Sequence, residues 1–229
     1  MWPLILASLI LGLAIAVMFK LAGEHPVAKV PLRTTAGRVR AVCKSQQHVF
    51  SKAPIPAINL IKGLGVEGDC HLGRTVQHRS RLHIRPVPAN LRQVHLIHSE
   101  LFEQLSVPTS TEDKAHIINP GDLGENITTE GVDLLSLGEG TKLHFFNDGT
   151  SGGEEDHPIV RITGLRNPCP QIQKFQSGLQ EKCLVRDEQR NIVARKAGVM
   201  SVVEVGGCVM TGAKIVVEQP TVHVPLLCV

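Results

Sequence analysis

The chain is predicted to fold as a mainly β, barrel-like domain with a few helices, an α+β arrangement in which strands dominate. Short apolar runs recur through the second half, at Leu134–Leu137, Lys142–Phe146, Ile159–Thr163, Val199–Val205 and Lys214–Val217, with Gly, Pro and Asn as punctuation. Residues 38–42 and 91–97 alternate apolar with polar side chains, the period of a strand with one covered face. Ser99 opens a short helix with Leu101, Phe102 and Leu105 on one side. With 229 residues, 42% hydrophobic and 20% charged, the composition excludes a disordered tail, a collagen-like chain and a small disulfide scaffold. The length suits one domain plus an appendage, or two small domains.

Along the chain, residues 1–22 come first. Trp2 to Phe19 carry no charge, and Lys20 ends the run. An apolar stretch of this length is expected to form a single-pass N-terminal membrane anchor, for which about 20 residues are typical. A signal peptide, with an apolar region of about 7–15 residues, and a buried helix are the competing readings. Lys29, Arg33, Arg38, Arg40, Lys44 and Lys52 all follow the run, which places the remaining chain on the cytosolic side. Residues 23–36 read as a linker, 37–218 as the folded domain and 219–229 as a C-terminal tail. Pro54, Pro56 and the glycines of 63–68 predict irregular backbone. Ile117 to Leu123 leads into the glycine-rich corner Gly121-Asp122-Leu123-Gly124. Residues 147–157, with four acids and three Gly, read as a solvated hairpin loop or an insertion.

A net charge of +3 gives no basis for bulk polyanion binding. Six Phe, one Trp and no Tyr leave no base-stacking platform, so nucleic acid is not an expected partner. The six cysteines, Cys43, Cys70, Cys169, Cys183, Cys208 and Cys228, are irregularly spaced and read as mostly reduced thiols.

Four segments hold residues able to do chemistry. Cys169, in Arg166-Asn167-Pro168-Cys169-Pro170, is expected on a rigid loop directly after a strand, with the Arg166 charge within reach of its sulfur. A buried loop cysteine acting as a small hydrophobe is the alternative. Gly68-Asp69-Cys70-His71-Leu72-Gly73 joins an acid, a thiol and an imidazole; it reads equally as a ligand pair or as a turn fastened by Asp69. It lacks the Cys-x-x-Cys spacing of a zinc motif. Arg74, Arg79, Arg81, Arg85 and Arg92 lie in a stretch without Asp or Glu, which suits a small anionic ligand or a solvated basic face. Gly121 to Thr129 turns a loop into a strand, with Glu125 as a general acid or base, or as a turn cap.

Taken in order, Gly65-Val66-Glu67-Gly68-Asp69-Cys70-His71-Leu72-Gly73, Arg92-Gln93-Val94-His95-Leu96-Ile97, Pro120-Gly121-Asp122-Leu123-Gly124-Glu125-Asn126-Ile127 and Arg166-Asn167-Pro168-Cys169-Pro170-Gln171-Ile172 resemble the MOSC domain. The likeness spans roughly residues 37–218 and is to the stand-alone type typified by bacterial hydroxylaminopurine reductase. It implies a β-barrel-like fold and a molybdenum cofactor held through Cys169 as metal ligand. It further implies Arg79, Arg81 and Arg85 as contacts for the pterin phosphate, with Asp69, Gly124, Asn126 and Arg166 completing the cofactor site. His71 and Glu125 are the proton-carrying candidates beside Cys169. Pyridoxal phosphate is not expected, because the sulfurase's own domain for it is absent.

The expected activity is molybdenum-dependent reduction of a small N-hydroxylated or N-oxygenated substrate. No flavin or nicotinamide fingerprint occurs in the chain, so a separate electron-donor protein is implied. The alternatives are a sulfur carrier with a persulfide on Cys169, and a non-catalytic module that binds the cofactor.

Overall fold

The computed structural model describes residues 33–108, 115–148 and 157–229. The predicted anchor (1–22), most of the linker and most of the acidic loop at 147–157 lie outside the described residues. The membrane placement is corrected. Among the described residues no helix is long and apolar enough to cross a membrane, so an assignment to a membrane with the domain facing the cytosol has no structural support.

The strands are β1 (Arg33–Lys44), β2 (Ala53–Ile55), β3 (Ala57–Ile61), β4 (Gly65–Val66), β5 (Val94–His98), β6 (Ile127–Glu130), β7 (Lys142–Phe146), β8 (Ile159–Leu165), β9 (Leu184–Arg186), β10 (Ile192–Arg195), β11 (Val199–Val205), β12 (Gly207–Met210) and β13 (Lys214–Glu218). Helices α1 (Glu100–Ser106), α2 (Pro170–Phe175) and α3 (Leu179–Lys182) are short. Residues 33–36, read as linker, belong to β1, where Arg33 faces Glu218 and Thr34 faces Val217 of β13.

Seven strands close on themselves in the order β13-β7-β8-β11-β5-β6-β1, with the β1–β13 pairing sealing the barrel. Closure removes the exposed edges that an open sheet would leave. The pairings are antiparallel except β5 with β6. A parallel pair needs a long crossover, and residues 99–126 supply it with α1 and the glycine corner at 121–124. Alternation along β5 then sorts its side chains. Val94 and Leu96 enter the barrel core, while Ile97 joins a second core with Leu101, Leu105, Ile172 and Leu179 of the three helices. Both faces of β5 are covered, so all five of its residues are buried.

The prolines at 54 and 56 do not prevent strands. Pro54 sits on β2, which pairs only with β1, and Pro56 precedes β3; edge and lead-in positions tolerate a missing N–H. Leu134–Ser136 is a 3-10 turn rather than a strand, with the Leu135 N–H donating to the Asp133 carboxylate. The C-terminal residues are not a loose tail: Leu165 and Val229 exchange a backbone bond, Leu165 N–H donates to Leu227 O, and Leu226 packs on the barrel core.

Gly121 is the tightest point of the corner. It adopts φ +90°, and a Cβ there would lie 2.1 Å from the Lys52 carbonyl oxygen. Gly121→Ala is therefore expected to destabilise the domain by about 2 kcal/mol or more in urea denaturation, through a left-handed strain and a backbone clash together. A neutral result would mean that the corner shifts freely.

Candidate functional site

Four segments meet around one cavity of about 550 Å³: residues 48–52 after β1, the long β4–β5 connection, the turn before β6 and the loop after β8. That volume suits a small ligand. Its lining carries Lys52, Arg79, Arg81, Arg92 and Arg166, with no Asp or Glu among the lining residues.

Cys169 is half-buried and immediately precedes α2, and its carbonyl accepts from the Ile172 N–H at 3.0 Å. Pro168 and Pro170 on either side fix the loop's backbone. Its sulfur lies 3.9 Å from Arg166 Nη2 and 3.8 Å from Gln171 Oε1. Arg166 is buried, and its guanidinium lies over the Phe50 ring at 5.9 Å from the centroid. Burial pulls the Arg166 guanidinium below its ordinary value, against the opposing pull of Cys169 and Glu125. Burial likewise lowers Arg92 to about 10, helped by the charges of Arg81 and Arg166. Arg166 Nη1, Arg92 Nε and His78 Nδ1 are buried and have no hydrogen-bond partner among the described residues. Buried donors left without partners are costly, and two guanidiniums in an acid-free cavity call for an anion.

A fastened layer stands behind this wall. Asp69 is buried and accepts from Lys52 Nζ at 2.7 Å, Asn126 Nδ2 at 3.0 Å and the His71 backbone N–H at 3.0 Å. His71 Nδ1 lies 3.1 Å from the same carboxylate. Burial pushes the Asp69 carboxyl up, but the bonds from His71 and the charge of Lys52 outweigh it and hold the group well below the usual carboxylate range. With Nδ1 donating to Asp69, His71 keeps Nε2 as its acceptor nitrogen; the Cys70 sulfur lies 3.3 Å from Nδ1 and 4.0 Å from Nε2. Burial, with Arg92, His71 and Arg81 nearby, pulls His78 down to about 2, so its imidazole is neutral. His95 is buried and also neutral; burial and the Arg166 charge hold it low, and its Nε2 bonds the Ala197 carbonyl at 2.9 Å.

The structure thus brings Cys169, His71, Arg79, Arg81, Gly124, Asn126 and Arg166 to one cavity. Asp69 sits one layer back and acts through His71 and Lys52. Asn126 is largely engaged with protein: besides Asp69, it bonds Cys43 O at 3.2 Å and accepts from His95 N–H at 3.2 Å. Two expected site residues lie elsewhere. Glu125 is fully buried outside the cavity lining, where it accepts from the Gly121 N–H at 2.5 Å and Thr128 Oγ1 at 3.0 Å. Burial raises its pKa, and it fastens the glycine corner instead of meeting a ligand. Arg85 folds back onto its own turn, bonding Leu82 O at 2.6 Å and Ile84 O at 2.9 Å. Lys52, Phe50, His48 and Arg92 were not singled out for the site by sequence. Arg92 had a signal, as the last cation of the acid-free stretch; the other three had none.

The fold and site together are those of a closed β-barrel that carries a loop thiol beside an arginine-lined cavity without acids. The sequence matches the family model for the MOSC domain over residues 71–216, and the chain belongs to that family. The YuaD protein from Bacillus subtilis has a similar fold, with TM-score 0.63 and 22% identity, covering 83% of this chain and 100% of that one. YiiM from Escherichia coli is similar at TM-score 0.50 and 16% identity, covering 82% of this chain and 73% of that one. No curated protein matches the sequence.

Proposed function

We propose that the cavity binds a molybdenum cofactor, with Cys169 as the protein ligand to the metal, and that the chain reduces small N-oxygenated compounds. The observation that carries the reading is the Cys169 thiol beside Arg166 Nη2, with the buried Arg166 Nη1 left without a partner among the described residues, in an acid-free cavity. The donor set fits such a group: a soft thiolate for the metal, and arginine forks for a phosphate. When bound, the cofactor supplies two-electron oxygen-transfer chemistry.

The chain's own residues do the rest. Arg79 and Arg81 bind the phosphate, and Arg92 and Arg166 offset negative charge near the thiolate. His71, oriented by Asp69 at Nδ1, relays a proton through Nε2 to the departing oxygen. Converting an N-hydroxyl group to an amine and water takes two electrons and two protons. The electrons come from a separate donor protein and the second proton from water.

The joint variant Arg79→Gln, Arg81→Gln is expected to lower cofactor retention about tenfold or more, because each charge-assisted hydrogen bond contributes about 1.5–3 kcal/mol. Molybdenum content and pterin fluorescence after gel filtration read this directly. Unchanged retention in a folded variant would return the segment to a solvated basic face.

A further inference from the structure

We infer that the tip of the β4–β5 connection, residues 82–87, is the docking surface for an acidic electron-carrier protein, which rests on the reductase reading above. The tip runs Leu82-His83-Ile84-Arg85-Pro86-Val87, and all six residues are exposed. Leu82 is 47%, Ile84 37% and Val87 43% exposed. Three large apolar side chains left to water within six residues mark a contact surface rather than scattered exposure. Cations are interleaved with them, at Arg81 and Arg85. The stretch from Arg74 to Arg92 holds five Arg and no acid, which exceeds the whole chain's +3 and leaves the remainder net negative. The positive charge is thus gathered on this loop, and the partner that complements it is acidic around an apolar centre.

The loop is fastened so that this face stays outward. At its stem Thr75 and Ala89 form an antiparallel bridge, Val76 N–H donates to Pro88 O at 3.0 Å, and Asn90 N–H donates to Arg74 O at 2.9 Å. Val76 and Asn90 are buried, and Asn90 Nδ2 ties the stem to His71 O and Gly73 O, each at 3.0 Å. At the tip, Ile84 N–H donates to Arg81 O at 3.1 Å, and Arg85 Nη1 bonds Leu82 O and Ile84 O. A surface shaped beforehand loses less freedom on binding. Arg79 and Arg81, at the base of the tip, line the same cavity as Cys169. A carrier seated on the tip therefore stands at the rim of the cavity, where the electrons are needed. A lipid surface is the poorer occupant, because the tip has no Trp, Phe or Tyr to sit among headgroups and a bilayer delivers no electrons. Each N-hydroxyl group reduced draws two electrons from reduced carrier, which leaves oxidised, and with two protons the products are amine and water.

Reduced flavodoxin and a reduced plant-type ferredoxin, both acidic carriers, are the probes; reduced methyl viologen serves as a small donor that needs no docking. The purified full chain should bind at least one of the two carriers, with an affinity that falls as salt rises. Ile84→Glu changes an exposed side chain outside the cavity lining. It should weaken carrier binding about tenfold or more and raise the KM for the carrier by a similar factor. Molybdenum content and the viologen-driven rate should stay as in the parent. Ile84→Lys loses the same apolar contact but keeps the sign of the surface, and should weaken binding less than Ile84→Glu. The inference is overturned if neither carrier binds, if Ile84→Glu binds as the parent does, or if Ile84→Lys weakens binding as much as Ile84→Glu. It is also overturned, in favour of a lipid surface, if the parent sediments with phosphatidylserine vesicles and Ile84→Glu does not. Failure of the reductase reading shows separately, as an absence of viologen-driven turnover in the parent, and leaves the binding comparison intact.

Discussion

Cys169→Ser is expected to strip the purified protein of molybdenum and of reductase activity together, by about 100-fold or more. Loss of an outer-shell partner alone typically costs 10–100-fold in metal affinity, and here the ligand itself goes. The fold should survive, because Cys169 is only half-buried and its sulfur makes no contact shorter than 3.8 Å in its hydrogen-bonding set. The other thiols separate into two groups. Cys70, Cys208 and Cys228 are at least partly exposed, and their Ser variants should keep both molybdenum and activity. Cys43 and Cys183 are buried, and burial pushes their thiols up to about 12 and about 11 respectively, so they are inert core groups. Serine at either places a hydroxyl in an apolar core, at about 1–3 kcal/mol, so Ala is the appropriate control. Retained molybdenum in folded Cys169→Ser would refute the ligand assignment. Retained molybdenum with lost transfer of labelled sulfur would turn the reading toward a sulfur carrier.

Lys52→Met should be the most destabilising single change near the cavity. The Lys52 ammonium and the Asp69 carboxylate lie 2.7 Å apart, with side chains only 3% and 2% exposed. Removing one member of a buried pair strands the other and costs about 3–5 kcal/mol. For a domain of this size that is roughly a 10 °C fall in Tm. Asp69 also sets the acid limb of stability. Its carboxyl is held below its ordinary value of 3.8, so the stability it contributes is full above that value and is lost as pH falls below it. Asp69→Asn should flatten that acid limb of the stability profile measured in urea. An unaltered limb in Asp69→Asn would mean that other carboxylates govern acid unfolding.

The barrel was legible where strands follow side-chain period. The runs at 142–146 and 199–205 coincide with β7 and β11, because each is a short apolar run bounded by turn residues, with Leu143–Phe145 buried in one and Val199–Ser201 and Val203 in the other. The helix after Ser99 presents the expected Leu101, Phe102 and Leu105 to the second core, although the Ser99 side chain makes no capping bond. What was not legible depends on partners distant in sequence. β2 to β4 hide among prolines and glycines, and only the pairing of β2 with β1, of β3 with β12 and of β4 with β3 reveals them. The site divides in the same way. Cys169 and Arg166 are three residues apart, so their contact could be anticipated, whereas Lys52 reaches Asp69 only because the chain returns after β1. Glu125 looked reactive for its residue type, but the glycine corner turns it inward onto Gly121 and Thr128.

The central claim is that the acid-free cavity beside Cys169 holds a molybdenum cofactor. Molybdenum and pterin content of the full chain, purified from a host that makes the cofactor, tests it most directly. The account predicts close to one molybdenum and one pterin per chain, both lost when Cys169 is replaced by Ser. Folded protein with molybdenum and pterin at background would contradict it.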